Sequence, residues 1–111
     1  MSMYSQRQAD VEAEVTFLSP EAGGKANGVR SGYCPNHEVL ENYLTSGRHE
    51  YMDKDEVWPG EAATAHIWFI SPEAYPGRLW IGREVRVQEG SRLVGYAKVT
   101  KIFNKLLERS S

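Results

Sequence analysis

A chain of 111 residues in which 41% are hydrophobic and 25% charged has the length and composition of one folded globular domain, which excludes a disordered segment, a collagen-like rod and a membrane protein. The net charge of −2 argues against indiscriminate nucleic-acid binding. That charge is uneven along the chain, with five basic against twelve acidic residues in positions 1–77 and eight against three in 78–111.

Positions 1–9 are polar and without period, and read as a flexible N-terminal tail. They lack the apolar stretch of a secretion signal, and the longest strongly apolar run, Ile67 to Ile70, is far short of the roughly 20 residues that span a bilayer, so a cytoplasmic location is expected. A domain over 10–103 begins with Val11, Ala13, Val15 and Phe17 alternating with Glu12, Glu14, Thr16 and Leu18, the period of two that turns one face of a strand inward. Ser19 to Gly28 carries Pro20, Gly23, Gly24, Asn27 and Gly28, turn chemistry that delivers the chain to a second strand near Val29 to Tyr33. After Pro35, Asn36 to Leu44 is assigned to a strand, although helical spacing fits it about as well. Thr45 to Glu56 is polar, ends in Asp53, Asp55 and Glu56, and reads as an exposed loop or hairpin tip.

Trp58-Pro59-Gly60 then turns the chain into Ala63 to Ile70, which alternates with both faces apolar enough for a strand buried on one side and covered on the other. Pro72, Pro76 and Gly77 break it, Arg78 to Val87 resumes around Gly82, and Glu89-Gly90-Ser91 is a hairpin turn into a last long strand, Ser91 to Phe103. Positions 104–111 form a C-terminal tail or one short helical turn with Leu106 and Leu107. Several strands with Gly/Pro turns between them predict an all-β sandwich or barrel, and closure would leave no edge to aggregate.

Chemistry-bearing residues are few. Cys34 and His37 have a Cys-x2-His spacing that His49 and His66 would have to complete, whereas tetrahedral zinc usually shows two tight pairs. No metal or other cofactor is expected, and the plain reading is a thiol in a proline turn and a surface imidazole. A Cys34 nucleophile activated by His66 or His49 has no supporting motif. Cys34 is alone, so the chain forms no internal disulfide. Asp53 and Asp55 lie in a polar segment where desolvation is too small to bring either toward neutrality. Trp58, Trp68, Trp80 and Tyr96 are weighed as core and rim packing against a stacking platform for bases, with Trp80 as the exposed exception. Arg78, Arg83, Arg86, Arg92, Lys98, Lys101, Lys105 and Arg109 are weighed as a phosphate-facing strip against solvated strand faces.

Three segments carry a resemblance. Val11-Glu12-Ala13-Glu14-Val15-Thr16-Phe17-Leu18-Ser19 is followed by Gly23-Gly24-Lys25 and Gly32-Tyr33-Cys34-Pro35; Trp58-Pro59-Gly60-Glu61 precedes a long strand; Gln88-Glu89-Gly90-Ser91-Arg92-Leu93-Val94-Gly95 forms a hairpin. In order and spacing these resemble domain 3 of translation elongation factor Tu. The resemblance implies a six-stranded antiparallel closed Greek-key barrel that packs on a GTPase domain, touches the T-stem backbone of aminoacyl-tRNA and meets an exchange factor. By the same resemblance Asn36, Thr45, Glu89 and Gly90 fall on tRNA-contacting positions, with Arg92 beside them in the basic segment. All suit contacts to ribose and phosphate, and turn maintenance is the alternative reading of Glu89 and Gly90. Cys34 and Gln88 stand where the family has arginines, which weakens any phosphate site. The chain has neither a Gly-x4-Gly-Lys-Ser/Thr phosphate loop nor an Asn-Lys-x-Asp guanine reader. The expectation is a non-enzymatic interaction module for a cytoplasmic protein partner, a translation component or a GTPase domain, and the alternative is a weak tRNA T-arm binder; neither DNA nor membrane is an expected partner.

Overall fold

The computed structural model describes residues 7–110, so the first six residues of the expected tail lie outside the described residues. The strands are β1 (Val11–Phe17), β2 (Val29–Arg30), β3 (Asn36–Leu40), β4 (Tyr43–Tyr51), β5 (Glu56–Val57), β6 (Ala62–Phe69), β7 (Glu84–Glu89) and β8 (Arg92–Ile102). Six close into a barrel in the order β1-β6-β4-β3-β7-β8, and β2 pairs with β5 as a separate two-stranded sheet. All barrel pairings are antiparallel. Because β3, β4 and β6 are successive neighbours and β1 lies beside β6, the order is that of a Greek key. Among the described residues, no helix is long and apolar enough to cross a membrane.

The β1, β6, β8 wall follows directly from alternation. Val11, Ala13, Val15 and Phe17 are buried, as are Ala63, Ala65, Ile67 and Phe69 from β6 and Val94, Ala97 and Val99 from β8. Trp68, on the outer face of β6, is also covered, and its indole N–H donates to the Arg7 carbonyl at 2.7 Å. Arg7 additionally pairs with the fully buried Asp10 at 2.8 Å, so the chain is already tied down three residues before the domain start expected from the sequence. The pairing of β1 with β8 sets Glu14 opposite Lys98 and Glu12 opposite Lys101, and Lys98 also faces Glu84 across β7. The charge asymmetry between the two parts of the sequence is thereby interleaved on one surface.

The β3, β4 region departs from the sequence expectation. Thr45 to Glu56 is not an exposed loop, because its first seven residues belong to the nine-residue β4, which pairs with β3 and β6. Asn36 to Leu44 is two strands, joined by a Glu41-Asn42 loop in which Asn42 adopts φ 61°, a left-handed conformation that Asn tolerates better than most residues. The strand expected near Val29 to Tyr33 is only two residues long. Before β7, Leu79 makes a single parallel bridge to Glu108. Residues 77–79 pair with 106–109, with Leu79 N–H donating to the Leu107 carbonyl at 2.8 Å and Arg109 N–H to the Leu79 carbonyl at 2.7 Å. A 3-10 turn at Lys105–Leu107, capped by the Asn104 side chain, thus seats the fully buried Leu107 beside Leu79 and closes the barrel end opposite the β7–β8 hairpin.

Candidate functional site

The positions singled out by the resemblance divide between two environments. Asn36 opens β3, opposite Gln88 of β7 and Ser46 of β4, and is half-buried. Register therefore brings it to the end of the barrel where Glu89, Gly90 and Arg92 form the β7–β8 hairpin. Glu89 accepts hydrogen bonds from Lys25 Nζ at 2.7 Å and from the Tyr33 hydroxyl at 2.6 Å. The Lys25 ammonium, and then the Tyr33 donor, hold the Glu89 carboxyl below its ordinary value. Gly90 has φ +59°, which the tight turn needs and which a side chain would strain. Arg92 donates to the carbonyl of Gly23 at 3.3 Å and to that of Gly24. Glu89 and Arg92 thus hold the 23–25 loop against the hairpin.

Thr45 is elsewhere. It is buried inside the barrel, and its hydroxyl lies 3.1 Å from the Tyr75 hydroxyl. It neighbours a polar chain that sequence reasoning missed. His37 and His49, both fully buried, meet Nε2 to Nε2 at 2.7 Å. His37 Nδ1 is 3.3 Å from the Thr45 carbonyl, and His49 Nδ1 is 3.0 Å from the Tyr51 hydroxyl. The surface imidazole expected at His37 is therefore corrected: β3 points this side chain inward because Pro35, His37 and Val39 share one face of alternation.

Chemistry fixes the direction of this chain. The Thr45 carbonyl only accepts, so His37 Nδ1 carries the proton and, in a neutral ring, His37 Nε2 is a lone pair. His49 Nε2–H then donates to it, which leaves His49 Nδ1 to accept from the Tyr51 hydroxyl. Every ring nitrogen has a protein partner in this arrangement, and it exists only with both rings neutral. Burial supplies that neutrality, lowering His37 to about 4 and His49 well below the ordinary histidine value. Burial likewise pushes the Tyr51 hydroxyl far up. Gly47 of β4 completes the fit, since a Cβ there would stand 2.9 Å from His37 Cε1.

The zinc set weighed from the sequence is not assembled: Cys34 is exposed while His37 and His49 lie within the barrel, and His66 is on the outer face of β6 against Glu12 at 3.3 Å. Among the described residues, no three His, Cys, Asp or Glu side chains gather as metal ligands. The Asp53 carboxylate is used locally, accepting from the Thr64 backbone N–H at 2.9 Å.

Large apolar side chains are exposed at the end opposite the β7–β8 hairpin. Tyr43 and Leu44 open β4 there, Ile70 follows β6, and Trp80, Ile81 and Leu106 belong to the two segments that close that end; all six are exposed, Ile70 by 50% and Ile81 by 58%. Only Met52 and Trp58 among the large exposed apolar side chains of the described residues lie away from it. Trp80 is thus exposed and Trp68 packed, both as expected, whereas Trp58, expected to pack, is exposed as well. No protein-family model matches the chain.

Proposed function

We propose that this barrel is a non-enzymatic interaction module of the elongation factor Tu domain 3 kind, which binds a protein partner in the cytoplasm, either a translation component or a separately encoded GTPase domain. The observation that carries the reading is the placement of six exposed large apolar side chains at one end of the barrel, since a concentration of exposed apolar side chains on a small domain marks contact sites. The polar features found elsewhere are internally satisfied. The histidine chain uses its nitrogens on Thr45, Tyr51 and each other, and the hairpin residues hold a loop. For the tRNA alternative, the outer faces of β1, β7 and β8 alternate acids with bases, which suits a continuous phosphate track less well than a protein surface.

Affinity capture with the tagged barrel from lysate of its own source, with and without RNase, tests this. A protein retained after RNase, and lost when Ile81→Ser and Leu106→Ser are combined, is the expected result. Recovery of tRNA, with every protein released by RNase, would replace the protein reading by the RNA one.

A further inference from the structure

Three arginines gather at the same end. A cleft of about 380 Å³ lies there, lined in part by Leu40, Glu41, Arg78, Trp80, Arg83 and Arg109. Arg83 is fixed in place, donating to the Arg78 carbonyl at 2.6 Å and the Val39 carbonyl at 2.7 Å. Its guanidinium lies 5.2 Å from the centroid of the Trp80 ring, and that of Arg109 lies over the same ring at 5.1 Å. None of Arg78, Arg83 and Arg109 forms a salt bridge among the described residues. Burial, and then the neighbouring Arg78 charge, lowers the Arg83 pKa, and Glu38 offsets part of that shift.

Chain connectivity makes the cluster. Arg78 and Arg109 belong to the paired segments 77–79 and 106–109, and Arg83 reaches from the approach to β7 to the end of β3. With both terminal nitrogens of Arg83 held by the Arg78 and Val39 carbonyls, Arg78 and Arg109 beside the half-exposed indole offer fork-shaped donors to a carboxylate and an apolar wall to whatever carries it. The surroundings select among anions. Glu41 lines the cleft, Glu38 acts on Arg83, and Glu84 and Glu108 adjoin Arg83 and Arg109 in sequence. These acids limit the positive patch to one or two anionic groups, where a nucleic-acid strand requires a track of them. Ile81 and Leu106 are exposed nearby and match apolar side chains, not ribose.

We infer that this cleft is the seat of an acidic segment of a partner protein, its carboxylates taken by Arg78 and Arg109 and an adjacent apolar side chain laid against Trp80. The inference rests on the interaction-module reading and specifies the chemistry of the partner.

The test uses the full chain, following the side-chain N–H resonances of arginine and the Trp80 indole during titration. The probes are a blocked octapeptide of alternating Glu and Leu, its Gln-for-Glu analogue, an octauridylate RNA and inorganic phosphate. The acidic peptide should shift the Trp80 indole, Arg78 and Arg109 saturably, with the other three probes at least about tenfold weaker. Arg78→Gln and Arg109→Gln, both at exposed positions, should each weaken the peptide about fivefold or more while leaving the remaining spectrum in place. No shift at these residues, equal binding of the Gln analogue, or tighter binding of the RNA or of phosphate alone would each overturn the inference. Capture with the double Gln variant separates the two readings. A partner still retained by that variant defeats the cleft alone, whereas no partner on the native barrel defeats the module.

Discussion

The two walls of this barrel reach the same backbone geometry by opposite chemistry. Along β1 and β6 the inward positions are Val, Ala, Phe and Ile, and their burial is the whole reason for the strand. Along β3 and β4 the inward positions include His37, Thr45, Gly47 and His49, which carry little apolar surface. The second wall is stable because its polar groups satisfy each other in a fixed order, from the Tyr51 hydroxyl through both imidazoles to the Thr45 carbonyl. An apolar wall degrades gradually when trimmed, whereas a satisfied buried chain loses more when one link is removed, because each broken link leaves an unpaired buried group.

The largest expected contrast is between single substitutions in the two walls. His49→Ala removes a buried ring and strands both His37 Nε2 and the Tyr51 hydroxyl, and should lower stability by about 3–5 kcal/mol in urea unfolding. Val15→Ala, in the apolar wall, should cost about 2 kcal/mol. Equal losses would mean that the imidazoles act only as filler. Combining His37→Leu with His49→Leu removes both facing groups together, so it should cost less than the sum of His37→Ala and His49→Ala measured singly.

Above about pH 4.5, acid should act through the β3, β4 wall. The unfolded chain takes up a proton at His37 near the ordinary value of 6.5, while the folded protein holds it off until about 4. Between those values the unfolded state binds more protons, so stability rises with pH from about 4 to 6.5 and is flat above. His37 alone should account for a loss of roughly 3 kcal/mol on going from pH 7 to pH 4, and His49, shifted the same way, adds to it. Glu89 contributes with the same sign but only below its ordinary 4.5, so the two sources separate along the pH axis. Val15→Ala should keep the slope between pH 4.5 and 6.5, and the double Leu variant should abolish it. A native barrel whose urea midpoint is unchanged between pH 7 and pH 5 would refute a neutral buried pair.

An effect smaller than that of His49→Ala is expected at Gly47. An alanine Cβ would stand 2.9 Å from His37 Cε1 and 3.2 Å from Ile67 Cγ2, and the imidazole, bonded at both nitrogens, has little freedom to move aside. Gly47→Ala should therefore cost about 1–3 kcal/mol and lengthen the contact between the rings, visible as displaced imidazole resonances. If His37→Leu is already present, the same substitution should be cheaper or dearer by a measurable coupling, because the two sites touch.

What could be read from the amino acids followed from local physics. The period of two in Val11 to Phe17 and in Ala63 to Ile70, with the Glu89-Gly90-Ser91 turn, was enough for strands, a hairpin and an all-β sandwich or barrel, because apolar alternation reports burial wherever it occurs, while the six-stranded closed barrel was implied only by the family resemblance. β4 hid because Thr45, Gly47, His49 and Tyr51 alternate with Ser46, Arg48 and Glu50 without an apolar signal; the alternation of β-compatible residues was present, and polarity masked it. No local feature identifies His37 and His49, twelve positions apart, as mutual partners. That pairing, the interleaving of acidic β1 with basic β8, and the meeting of Arg78, Arg83 and Arg109 around Trp80 were decided by the tertiary structure, because strand register and chain closure set which distant residues share a face.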